Sequence, residues 1–154
     1  MKKIAMALSL VLFPLTAQAQ SGREQVVQAV TNDLKPAFCA NDLKQAMQIV
    51  EGCYAKVDQD SEKYNMNQCV LEDIMVIGAI KKKQKQYLTN YMPDPYAHLD
   101  FIQPVNVGLR VGKHPNSFTD AGSSEEMKKT FIEDVSTIID NMKQENCFDL
   151  DKLK

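Results

Sequence analysis

The chain has 154 residues, with 18 Lys+Arg, 20 Asp+Glu, 2 His and 4 Cys, and a formal net charge of −2. That balance speaks against a nucleic-acid binder, which normally carries a strongly basic face, and 44% hydrophobic with 25% charged residues excludes wholesale disorder. With no Trp and 7% aromatic residues, the core must rest on aliphatic side chains and eight Met.

The N-terminus reads as a cleaved secretory signal. Lys2 and Lys3 supply the positive start, Ile4 to Leu15 is an uncharged apolar run, and Ala17-Gln18-Ala19 places small residues at the cleavage site. A dozen apolar residues are too few to cross a hydrocarbon core, which needs about 20. The expected organisation is therefore a signal over 1–19, cleaved after Ala19, and one exported domain over 20–154, periplasmic and without a stable membrane anchor. The exported part carries 16 basic and 20 acidic side chains, unevenly placed. Residues 81–114 hold 6 basic and 2 acidic, a net +4, between flanks of −4 each.

Four helices are predicted in chain order. Val27, Val30 and Leu34 mark the first over 22–35, stopped by Pro36. The second spans 41–57, with Asn41 as N-cap and Leu43, Met47, Val50, Tyr54 and Val57 along one stripe. The third spans 66–89. Its centre, Val70 to Ile80, is apolar on most sides, the pattern of the most buried helix, and it ends in Lys81-Lys82-Lys83-Gln84-Lys85, cations that the helix dipole favours. Ser123 with Glu126 forms a capping box for the last, which runs to Gln144 with Met127, Phe131, Val135, Ile138 and Met142 facing one way. Between Tyr91 and Gly122, four Pro and two Gly break helical periodicity. Val105, Val107, Leu109 and Val111 alternate there, which leaves room for a short β-ribbon. The predicted fold is mainly α, one four-helix domain with a Pro-rich irregular loop.

Cys39, Cys53, Cys69 and Cys147 are an even set in an exported chain, and disulfides are the default. With 41–57 as one helix, Cys39 and Cys53 stand about 20 Å apart, whereas a bridge needs Cα atoms within about 7 Å. Folding the second and third helices as an antiparallel hairpin sets position 53 opposite 69. The favoured pairing is Cys53–Cys69 with Cys39–Cys147; Cys39–Cys69 with Cys53–Cys147 requires a skewed hairpin.

No nucleophile elbow, zinc-protease, Walker or dinucleotide motif occurs. Glu72-Asp73 are adjacent on a helix and point in different directions, so they do not form an acid/base pair by themselves. His98-Leu99-Asp100 and His114 are the only metal-like or hydrolase-like cluster, and no spacing enforces it. No catalytic residue, metal or cofactor is assigned. The basic middle is the expected contact surface for a protein partner: Lys82, Lys85, Tyr91, Tyr96, His98 and Arg110 combine cations with aromatics on a long loop. The alternative is that this loop covers the third helix, with Tyr91 and Phe101 buried.

Cys39, Cys53-Tyr54, Cys69, Tyr87-Leu88 before Pro93, and Cys147 together resemble the layout of periplasmic immunity proteins of the Rap/Tai kind. That family protects cells against cell-wall amidase toxins delivered by type VI secretion. The chain departs from it in having no Gly between Cys53 and Tyr54, no Pro after Cys69, and an apparent insertion over 93–120. The resemblance implies a small helical domain and a toxin-neutralising role. The expected function is thus a non-enzymatic periplasmic immunity or inhibitor protein that plugs a toxin's active site. The alternatives are a small periplasmic hydrolase using His98 or His114 with Asp100, and a periplasmic chaperone or stress protein binding many clients through exposed Met.

Overall fold

The structure is a computed structural model that describes residues 16–60, 63–113, 124–149 and 151–153, with the backbone alone for 16–21 and 124–128. Among the described residues five α-helices follow one another: α1 (Thr16–Cys39), α2 (Leu43–Gln59), α3 (Met66–Thr89), α4 (Pro104–Gly112) and α5 (Ser124–Gln144), with a 3-10 turn at Asp100–Ile102 before α4. No strand occurs among the described residues. The expected segment Met1–Leu15, His114 and Ser123 lie outside the described residues, and the backbone at Ala17–Ala19 is the start of α1.

α3 is the central element, packed on α2, α1 and α5, while α1 bridges α2 and α5. The reason is its composition: Cys69, Val70, Leu71, Met75, Val76, Ala79 and Ile80 are all buried, so no single neighbour covers its apolar surface. Leu34 and Phe38 of α1, Val50 and Val57 of α2, and Ile138 and Met142 of α5 close the core around it. The stripe foreseen for α2 faces inward as its spacing requires, with only Met47 half-buried.

Several boundaries differ from the sequence expectation, each for a local reason. α1 continues through Pro36 to Cys39. Pro36 sits on the exposed face with Asn32, whose carbonyl faces water once its helical donor is missing, and burial of Ala37 and Phe38 holds the last turn. α2 is capped by Asp42, whose side chain accepts from the Gln45 amide at 2.9 Å, and not by Asn41. Asn41 instead ends α1. Three helices finish in the same Schellman turn: the Asp42, Met92 and Cys147 amides donate back to the Ala37, Tyr87 and Met142 carbonyls, each at 2.9 Å. The residue in the left-handed position is Asn41 in α1, Tyr91 in α3 and Asn146 in α5, at φ 57, 54 and 58°.

The four expected helices are present, and the fifth replaces the expected ribbon. Pro104 occupies the first helical turn, where it needs no donor. On a helix the alternating run divides into two faces: Val105 and Leu109 are exposed, while Val107 and Val111 are half-buried with Arg110. A ribbon needs a partner strand to satisfy its backbone, and a helix satisfies its own.

Both disulfides form as the helix geometry ranked them. Cys53–Cys69 staples α2 to α3, and Cys39–Cys147 joins the end of α1 to the segment after α5. Arg23 adds a polar clamp between α1 and α5, donating to Asp134 at 2.6 Å, Glu133 at 3.0 Å and the Thr130 carbonyl at 3.1 Å.

Candidate functional site

The C-terminal half of α3 carries the lysine cluster, and the fold divides it. Lys83 turns inward and is buried, its Nζ donating to the Asp151 carbonyl at 3.2 Å. Lys81, Lys82 and Lys85 are exposed, and their ammonium groups have no ion-pair or hydrogen-bond partner among the described residues. An i, i+4 step joins Lys81 to Lys85, so two unneutralised cations share one helix face.

Beyond them α3 ends in the Schellman turn that contains Tyr91. The ring of Tyr91 is 98% exposed, and Leu88 and Met92 beside it are 67% and 47% exposed. A left-handed conformation costs a residue with a Cβ roughly 1–2 kcal/mol, and Asn, which tolerates it better, fills the matching position in α1 and α5. The ring makes no core contact that offsets this.

From Tyr91 the chain turns back along α3. Asp94 caps a short turn by accepting from the Tyr96 amide at 2.8 Å. Gln84 of α3 donates to the Tyr96 carbonyl at 3.0 Å, and the Tyr96 ring meets Tyr87 edge-on with centroids 6.1 Å apart. Burial and the neighbouring Tyr87 push the Tyr96 hydroxyl above its ordinary pKa. Phe101 and Ile102 then enter the core. The loop therefore does both things the sequence left open: Phe101 covers α3, and Tyr91 faces solvent.

Arg110 has a role the sequence did not suggest. It grips Asp73 of α3 through two bonds, Nε to Oδ2 at 3.0 Å and Nη2 to Oδ1 at 2.8 Å, and donates from Nη2 to the Phe101 carbonyl at 2.9 Å. Its guanidinium also lies 4.2 Å from the Phe101 ring centroid. The Tyr54 hydroxyl of α2 donates to the same Asp73 at 3.3 Å, and burial with the Asp73 charge raises the Tyr54 pKa. Arg110 is thus an internal tie between α4 and the α2–α3 pair, with its side chain largely covered. The remaining expected residues lie where a partner can reach them: Lys82, Lys85, Tyr91 and His98 are exposed, and Tyr96 is half-buried.

Glu72 is the other residue that sequence reasoning missed. It is fully buried, and one of its oxygens, Oε2, has no hydrogen-bond partner. The Gln68 amide bridges it to α1, donating to Glu72 Oε1 at 3.0 Å and to Asp33 Oδ2 at 2.8 Å. Burial raises its pKa to about 7, assisted by the Asp33 charge and opposed by Gln68 and Lys56. Two adjacent carboxylates, Glu72 and Asp73, in an otherwise apolar helix centre were the available signal.

His98 and Asp100 are both exposed, and no hydrogen bond links their side chains among the described residues. No group of three or more His, Cys, Asp or Glu side chains among the described residues is arranged to hold a metal ion. No helix among them is long and apolar enough to cross a membrane. What the arrangement offers chemically is a surface of unpaired cations around exposed apolar groups on a cross-linked frame. No family model, curated protein or solved structure matches the chain.

Proposed function

We propose that this chain is a non-enzymatic exported binding protein of the immunity or inhibitor kind, which neutralises a cell-wall-degrading enzyme by seating its α3 corner in that enzyme's active site. The observation that carries the reading is Tyr91: an aromatic ring held outward on a backbone conformation that disfavours it, at the end of a helix cross-linked to its neighbour. Strained residues cluster where function needs them, and aromatic anchors carry much of an interface's energy. A rigid frame loses little entropy when such a corner docks. Lys81, Lys82 and Lys85 favour an acidic rim around the cleft. The signal pattern over 1–19 and the two disulfides support an oxidising, extracytoplasmic location. The cysteine and Tyr-Leu layout resembling the Rap/Tai kind supplies the amidase class.

The test is an inhibition assay against a cell-wall amidase encoded beside this chain. The mature chain should bind it and suppress peptidoglycan cleavage. Tyr91→Ala should weaken binding at least tenfold, and Lys81→Glu with Lys85→Glu should weaken it most at low salt. Both should melt near the parent temperature, since neither site contributes buried contacts. Peptidoglycan turnover by the chain itself, or unchanged binding by Tyr91→Ala, refutes the proposal.

A further inference from the structure

A groove of about 730 Å³ runs between α3, α5 and the segment after α5. Its walls are two rows at helical i, i+4 spacing: Ile74, Gly78 and Lys82 on α3, and Val135, Ile139 and Lys143 on α5. Gly78 is its floor. It is exposed, and a Cβ built on it meets nothing within 4 Å, so the space over the α3 backbone is open. Glycine inside a helix disfavours the helix, yet here no neighbouring side chain of the fold requires it. Ile74 is 38% exposed along the same row.

The charges of the groove are unbalanced once internal pairs are removed. Asp149 pairs with Lys152 at 2.9 Å, and the Asp151 carboxylate accepts from the neutral Gln86 amide at 2.6 Å, which leaves its charge in place. The ammonium groups of Lys82 and Lys143 are exposed and without a partner among the described residues. The lining, with three Lys and two Asp, therefore keeps a net positive charge, and a free cation ends each row beside the apolar floor.

We infer that this groove is a second docking surface, whose occupant is an acidic amphipathic helix of a protein partner. Two helical rows of i, i+4 side chains form the ridges between which a third helix packs. The open space at Gly78 admits a large aliphatic side chain from that helix, and flanking Glu or Asp residues meet Lys82 and Lys143. This occupant presupposes that the chain is a binding protein, but not that its target is a cell-wall enzyme or that Tyr91 contacts it.

The test uses the mature chain and two fluorescent designed helical peptides of about five turns with the same Leu stripe, one flanked by Glu and the other by Lys. The Glu peptide should bind at least tenfold more tightly than the Lys peptide. Gly78→Leu, which fills the groove, should lose at least tenfold in affinity for it. Lys82→Glu with Lys143→Glu, both solvent-exposed changes that leave the core intact, should reverse the preference toward the Lys peptide. Tyr91→Ala should bind the Glu peptide as the parent does, which separates this surface from the α3 corner. Equal binding of the two peptides, or undiminished binding by Gly78→Leu together with no reversal in the lysine variant, overturns the inference. So does self-association, or binding to anionic vesicles, that Gly78→Leu abolishes, because the groove then belongs to a second copy or to lipid.

Discussion

Three residues sit against their intrinsic preference. Tyr91 holds a left-handed backbone with its ring in water. Tyr91→Asn should therefore stabilise the fold by about 1 kcal/mol, because Asn occupies that conformation at less cost, while removing the aromatic anchor. Urea unfolding reads the first effect and partner binding the second; a destabilised Tyr91→Asn means that the ring supports the fold. Glu72 keeps a proton in the folded state to about pH 7, whereas in the unfolded chain it releases that proton near its ordinary value of 4.5. The folded state thus binds more protons between those values. Glu72's contribution is complete below about pH 4.5 and is lost as pH rises to about 7, at up to roughly 1.4 kcal/mol per unit. Glu72→Gln, which keeps a hydrogen-bonding group and cannot ionise, should flatten this limb and be more stable than the parent at pH 8. Unfolding free energies measured from pH 4 to 8 decide it. Asp73 depends on Arg110, and removing the cation leaves a buried carboxylate with only the Tyr54 hydroxyl. Arg110→Ala should cost about 3–5 kcal/mol, and adding Asp73→Asn should recover part of that.

At the scale of elements, α4 depends chiefly on Arg110. The helix contributes no fully buried residue of its own, and only Val111 packs against the core. Among the described residues its one buried polar tie is Arg110 to Asp73 and Phe101, while Asn106 to the Asp100 carbonyl at 2.8 Å and Lys113 to Asp58 at 3.1 Å are exposed. Exposed pairs contribute little. In Arg110→Ala, amide exchange over 104–112 should accelerate well ahead of α2 and α3, because the helix loses its anchor while the stapled pair keeps its core. Uniform acceleration across the chain would show that α4 unfolds only with the whole. The α2–α3 hairpin is held differently, by its shared apolar face and by Cys53–Cys69.

At the scale of the whole molecule, the two disulfides close loops of very different length. Cys53 and Cys69 are 16 residues apart, Cys39 and Cys147 are 108. Chain-entropy estimates give about 3 kcal/mol for the shorter and nearly 5 for the longer. Cys39→Ala with Cys147→Ala should therefore lower the urea midpoint more than Cys53→Ala with Cys69→Ala. The reverse order means that the short staple also holds native packing that the loop estimate ignores. The longer bridge also pins the segment carrying Phe148 against Phe38, with ring centroids 5.1 Å apart, and so keeps one end of the α3–α5 groove in place.

Periodicity, caps and helix length are local properties, so the sequence alone determined that the chain is helical and where α2, α3 and α5 lie, and it ranked the cysteine pairings. The ranking held because an antiparallel α2–α3 hairpin sets position 53 opposite 69 and so leaves Cys39 for Cys147. The direction in which a charged or aromatic side chain points is not local. Arg110 counted toward a basic surface until the return of the loop along α3 brought it to Asp73, 37 residues away. Tyr91 and Phe101 belong to one aromatic loop in the sequence, yet the turn after α3 sends one ring into water and the packing on α3 buries the other. The run from Val105 to Val111 satisfies both a strand and a helix pattern; among the described residues no strand stands beside it, and the grip of Arg110 on Asp73 holds the helix. The groove at Gly78 was invisible for the same reason: it is the gap between two helices, and a gap belongs to neither sequence segment that borders it.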